Sequence, residues 1–139
     1  MTPELSERLA WTVLIVATGA LGYLLFNRFL LRRAEDKVFR LAAYRTGLPA
    51  IVYFTTPTCV PCKTTQRPIL EQLQAAYGQW LQVIEIDASA HPDLAHEWGV
   101  MTVPTTFVLD AQGRPRYINQ GVVSAAKLLQ QLELEDYSI

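Results

Sequence analysis

The sequence predicts an α/β domain carried behind a single apolar helix. Three observations lead there. An uncharged run extends from Leu9 to Phe26, short β-branched or aromatic runs alternate with amphipathic stretches after residue 33, and two cysteines stand close together where one such run meets a helix. The formal net charge of -1, from 12 basic and 13 acidic side chains, gives no broad field that would favour nucleic acid as a partner.

The apolar run, LAWTVLIVATGALGYLLF, is the source of the chain's positive mean hydropathy of +0.14. As a helix its 18 residues rise roughly 27 Å, about the hydrocarbon thickness of a bilayer. A cleaved leader would need a positive n-region and a shorter apolar core, whereas MTPELSER carries Glu4 and Glu7 against Arg8. A buried core helix of this length would need a larger domain around it. Residues 1–33 are therefore expected to be a transmembrane anchor and 34–139 a soluble domain, with Trp11 and Tyr23 near the two membrane interfaces. Arg28, Arg32, Arg33, Lys37 and Arg40 follow the span, while Arg8 and the terminal amine precede it, which is expected to put the soluble domain on the cytoplasmic side; an extracytoplasmic domain is the alternative. Sidedness matters because cytoplasmic surroundings favour a reductase, and extracytoplasmic ones oxidation or rearrangement of disulfides.

Along the soluble part, Val38, Leu41, Ala42 and Tyr44 recur at helical spacing, so a helix is expected from Ala34 to Arg45, ended by Gly47 and Pro49. The run AIVYFT, Ala50 to Thr55, suits a buried central strand. The next helix presents Ile69, Leu70, Leu73, Ala76, Tyr77 and Trp80 on one face. LQVIEID, Leu81 to Asp87, reads as a second strand, and HPDLAHEWG as a short helix with Pro92 in its first turn and Gly99 past its end. VPTTFVLD and RPRYINQG form a hairpin across Ala111, Gln112 and Gly113. Ser124 then caps a final helix that packs Leu128, Leu129 and Leu132 on the sheet. This order predicts a mostly parallel sheet covered on both faces and finished by an antiparallel hairpin. Trp80 and Trp98 read as core or rim packing, and Asp110 and Gly113 as turn chemistry.

Two cysteines are too few for a disulfide scaffold, and Cys59 and Cys62 close too small a loop to stabilise much. Reactivity is the better reading. A helix beginning at or just after Cys59 places that sulfur among unpaired N–H groups at the positive end of the dipole, which favours the nucleophilic thiolate. Cys62, about one turn on, lies beside it and can resolve a mixed disulfide. Pro61 fits the first turn without losing a hydrogen bond, and Lys63 adds positive charge.

The ordered combination of a strand, Cys59-Val60-Pro61-Cys62-Lys63, a helix, and Val103-Pro104-Thr105 opening a later strand resembles the thioredoxin family over about residues 36 to 135. The resemblance implies a thioredoxin-like three-layer fold with a mixed sheet. It also implies a cis proline at Pro104 facing the dithiol, and a substrate surface comprising Val60, Pro61, Val103, Pro104 and Gly121. No bound cofactor is required; protein disulfides are the implied substrates, and electrons come from a separate reductase or membrane redox partner. The chain departs from the family pattern in several places. Thr58 replaces the usual tryptophan before the first cysteine and Val60 the glycine after it. Tyr53 stands where the family has a buried acid, and Val83 where that acid's lysine partner lies. The first strand of the full fold has no counterpart, a helix taking its place. Proton transfer at Cys62 then falls to water or to Glu85.

Two other function classes use the same residues. Cys59, Cys62, His91 and His96 supply four zinc ligands, but 28 residues separate Cys62 from His91, about twice the usual finger spacing. A non-catalytic binding module at the membrane needs no second cysteine, so the pair argues against it.

Overall fold

The computed structural model describes residues 3–35, 41 and 43–134. The chain divides into two compact units, Met1–Leu30 and Leu31–Ile139. Helix α1, Pro3–Glu35, runs from the first into the second. Within Glu4–Arg32 its most apolar 18-residue window is entirely unburied, unlike the core helix of a soluble domain. The hydroxyls of Thr12 and Thr18 donate back to the carbonyls of Arg8 and Leu14, at 2.8 and 2.7 Å, so these polar side chains are satisfied within the helix itself.

The second unit is a four-stranded sheet in the order β2-β1-β3-β4, formed by β1 (Ala50–Thr55), β2 (Gln82–Asp87), β3 (Thr105–Leu109) and β4 (Pro115–Gln120). Strand β1 is buried throughout because both its faces are covered. Ile51 and Tyr53 join Leu70 and Leu73 of α2 (Arg67–Tyr77) and Leu128 of α4 (Ala125–Gln131). Val52 and Phe54 join Ala95 of α3 (Pro92–Glu97), Trp98 and Phe107 on the opposite face. The expected local signals operate as read. Pro92 opens α3 and Gly99 follows it at φ +70°, and the Ser124 hydroxyl accepts from the Lys127 N–H at 3.3 Å to cap α4. The side chains of Asn119 and Gln131 exchange two hydrogen bonds, 2.8 and 2.9 Å, that tie α4 to β4.

Three expectations are corrected. The sheet is mixed, as the resemblance implied, rather than mostly parallel, as the element order alone suggested: β1 and β2 run parallel, but β3 is antiparallel to β1 and β4 to β3. The expected helix from Ala34 to Arg45 is not one element. Helix α1 extends to Glu35, Leu41 and residues 43–49 are irregular, and Val38, Ala42, Lys37 and Arg40 lie outside the described residues. A distant side chain takes the hydrogen bonds a helix would use: Gln82 accepts from the Arg45 N–H at 2.9 Å and donates to the Arg45 and Leu48 carbonyls. Leu41 and Tyr44 nonetheless pack on the Trp98 cluster. Finally, α2 ends at Tyr77, so Trp80 lies beyond it and is 52% exposed, and Ala76 also faces solvent.

Among the described residues no strand precedes β1, consistent with the missing first strand. In the hairpin, the Asp110 carboxylate accepts from the Gln112 and Arg114 N–H groups and pairs with Arg114 and Arg116 at 3.1 and 3.4 Å. Gly113 sits there at φ +78°, and a Cβ would fall 2.6 Å from the Tyr44 hydroxyl, so both conformation and space call for glycine.

Candidate active site

Strand β1 delivers the chain to Thr55, a turn through Thr56, Pro57 and Thr58 follows, and the helical segment starts at Val60. Cys59 is therefore its N-cap. Its carbonyl accepts the first intrahelical bond, from the Lys63 N–H at 3.3 Å, and its Sγ accepts from the Cys62 N–H at 3.3 Å. In polar caps an oxygen plays this part; here a sulfur does, and an N–H aimed at it stabilises the anionic form. Pro61 occupies the second helical position, where a backbone N–H would have no intrahelical partner.

Cys59 and Cys62 form a disulfide with their Cα atoms 5.3 Å apart. Solvent access differs between them. Cys59 keeps 9% exposure and Cys62 none. Both belong to the cluster of Ile51, Tyr53, Leu70 and Val123, with Val103 packed against it.

The helical segment does not begin as a regular α-helix. From Cys62 to Gln66 it makes a π-helical turn, in which the Arg67 N–H reaches back five residues to the Cys62 carbonyl. Beyond this turn α2 continues with Pro68 in its first turn.

Of the residues expected to form the substrate surface, Val60 and Pro61 lie between the cysteines in sequence and Val103 packs against the cluster that holds both sulfurs. Val60 is 66% exposed and Pro61 is also exposed. The Val103-Pro104 peptide is cis, with Val103 half-buried and Pro104 buried. Gly121 has φ +88°, faces open space, and donates its N–H to the Pro104 carbonyl at 2.8 Å. Met101 and Val122, which the sequence reading passed over, are exposed at 70% and 46% beside Val103 and Gly121.

Behind the dithiol, the fully buried Tyr53 donates its hydroxyl to the Cys62 carbonyl at 3.2 Å. A tyrosine in the middle of a buried strand implies a partner for its hydroxyl, and that signal could have found this contact. Glu85, its neighbour in register on β2, is paired with Arg67 at 2.7 Å in a half-exposed, solvent-screened bridge. Burial raises the Tyr53 phenol above its ordinary value, with Thr55 opposing the shift and Glu85 reinforcing it. A raised phenol pKa means the native state holds this proton at pH values where the unfolded chain has lost it. Stability from this group is thus complete below about pH 10 and falls as pH rises through the folded value. Tyr53→Phe should cost about 0.5–1.5 kcal/mol at neutral pH and flatten the alkaline loss seen in urea unfolding. An unchanged alkaline slope would remove Tyr53 as its source.

Among the described residues no three His, Cys, Asp or Glu side chains converge in a metal-holding group, so Cys59, Cys62, His91 and His96 do not make the zinc site considered from the sequence. His91 instead precedes α3, its carbonyl accepting from the Ala95 N–H at 3.0 Å.

A family model described as a thioredoxin-like domain matches residues 41–135, well over half of the chain. The chain belongs to the thioredoxin-like family. Among curated proteins, a thioredoxin-like protein of Synechocystis sp. is 38% identical over 86 residues, covering 62% of this chain and 80% of that protein. A thioredoxin of Pyropia yezoensis is 28% identical over 82 residues, 59% of this chain and 76% of the relative. Among solved structures, a thioredoxin-2 described as a component of the malaria parasite's protein secretion machinery superposes with a TM-score of 0.61 at 21% identity. That match covers 68% of this chain and 90% of the other, and it bears on fold alone. With a capped cysteine and its disulfide partner in place, this thioredoxin-like domain is a thiol-disulfide oxidoreductase.

Proposed function

We propose that this thioredoxin-like protein is held in a membrane by residues 1–33 and uses residues 34–139 to exchange disulfides with protein substrates. The observation that carries the mechanism is the asymmetry of the two sulfurs: Cys59 caps the helix and retains solvent access, whereas Cys62 is sealed. In the reduced enzyme the Cys59 thiolate attacks a substrate disulfide, forming a mixed disulfide and releasing one substrate thiolate, which takes up a proton. Cys62 then loses its proton and attacks the Cys59 sulfur. The Cys59–Cys62 disulfide forms, the second substrate thiol departs, and two electrons have passed to the substrate. A separate reductase or membrane redox partner restores the dithiol. Val60, Pro61, Val103, Pro104 and Gly121 form the surface on which the substrate segment lies, a reading supported by the exposure of Val60 and Pro61 between the cysteines, by the packing of Val103 on the cluster that holds both sulfurs, and by the hydrogen bond from the Gly121 N–H to the Pro104 carbonyl.

Membrane attachment rests on the length, composition and lack of burial of α1. The basic residues after the span support a cytoplasmic domain. The protein should stay with membranes after alkaline washing and retain its first 33 residues by mass; release of a shortened chain would make the helix a cleaved leader. An impermeant thiol reagent should label Cys59 of the reduced protein only after cells are opened. Labelling of intact cells would reverse the orientation and with it the preference for a reductase.

A further inference from the structure

Gln66 takes no part in the exchange steps above, yet it is one of the domain's few fully buried polar side chains. It lies in the π-helical turn, on one helical face with Cys62. Lys63, Thr64 and Thr65 of that turn are in solvent, and Cys62 and Gln66 are both buried. Both ends of the Gln66 amide are used on one residue of another segment. Its Oε1 accepts from the Val123 N–H at 2.8 Å and its Nε2 donates to the Val123 carbonyl at 3.3 Å. Val123 packs in the same cluster as Cys59 and Cys62, and two residues before it Gly121 is bonded to Pro104. The short segment Gly121 to Val123 is thus fastened on one side to Pro104 and on the other to the turn that carries Cys62.

An apolar side chain would fill the same space with no amide to satisfy, so a buried glutamine spent wholly on one backbone specifies a position. We propose that Gln66 is a positioning residue: it fixes the Gly121–Val123 backbone at the rim of the dithiol, and so sets the groove that receives the extended polypeptide on either side of a substrate's cysteine. The inference rests on the reading of this site as one that exchanges disulfides with proteins. Its effect falls on recognition of a polypeptide and not on the sulfur chemistry, so a small disulfide with no flanking chain is indifferent to it.

The test compares insulin with hydroxyethyl disulfide as substrates of the full-length protein in detergent micelles, for wild type, Gln66→Leu and Gln66→Glu. In Gln66→Leu the ratio of kcat/KM for insulin to that for hydroxyethyl disulfide should fall about tenfold, the loss appearing in the KM for insulin. Gln66→Glu keeps an acceptor for the Val123 N–H and should recover part of the ratio. A purely structural glutamine would lower the melting temperature and move both substrates together, or neither, and either pattern overturns the proposal. Should Gln66→Leu not fold, hydrogen exchange in wild type decides: a Val123 amide exchanging as fast as an open loop also overturns it. Wild type inactive toward both disulfides would instead refute the exchange reading itself.

Discussion

Replacing Cys59 by serine should lower insulin reduction at least about a thousandfold, to background, since a hydroxyl at the same cap position has neither the acidity nor the sulfur nucleophilicity to open a disulfide. Replacing Cys62 by serine should end turnover just as completely but leave a different trace. Cys59 can still attack, and with no partner to release the substrate the mixed disulfide accumulates as a covalent adduct visible by mass under non-reducing conditions. The asymmetry of burial requires this order: a sulfur with no solvent access cannot make the first attack on a protein, whereas the cap sulfur can. Persistent turnover in Cys59→Ser, or an adduct formed through Cys62 alone, would overturn the assignment.

The second large effect is on stability. Trp98 is fully buried and packs edge-on against Phe107, with centroids 4.9 Å apart at 81°, and against Phe54 at 5.7 Å. Phe54 and Phe107 complete the triangle at 5.8 Å. Trp98→Ala should destabilise the domain by about 3–5 kcal/mol, through lost transfer energy and the cavity left between three strands and α3. For a domain of this size that corresponds to a fall in melting temperature on the order of 10–40 °C. The indole Nε1 has no hydrogen-bond partner among the described residues, so the cost is one of packing, and Trp98→Phe should be far milder. A loss below about 1 kcal/mol for the alanine variant would show that the α3 face can close over the gap.

What the sequence made legible follows from how local each signal is. AIVYFT announces a strand buried on both faces because every residue in it is apolar or small, and the cap at Ser124 and the glycine after α3 are written within a few positions of where they act. Strand direction is not encoded in such patterns. The reversal of β3 shows only in its pairing register with β1. The stretch around Leu41 and Tyr44 has helical spacing yet is irregular, because the side chain that holds its backbone is Gln82, 37 residues from Arg45.

The same contrast holds at the site. Cys59 at the helix start and Cys62 a turn behind it were readable from spacing, and the cis Val103-Pro104 peptide from the resemblance. The contact from Tyr53 was half-visible, as a departure without a stated role. The role of Gln66 was not readable: its spacing from Cys62 and Leu70 places it on the inward face, but its hydrogen-bond partner lies 57 residues away. Hydrogen bonds to distant backbone leave no periodic trace.

The capping role of Cys59 has a further consequence. The atom that trades electrons is also the atom that closes the helix end, so every chemical state of that sulfur is at once a state of local architecture. A bulky adduct on that sulfur blocks exchange and crowds the turn that it caps, where the Cys62 N–H is its partner.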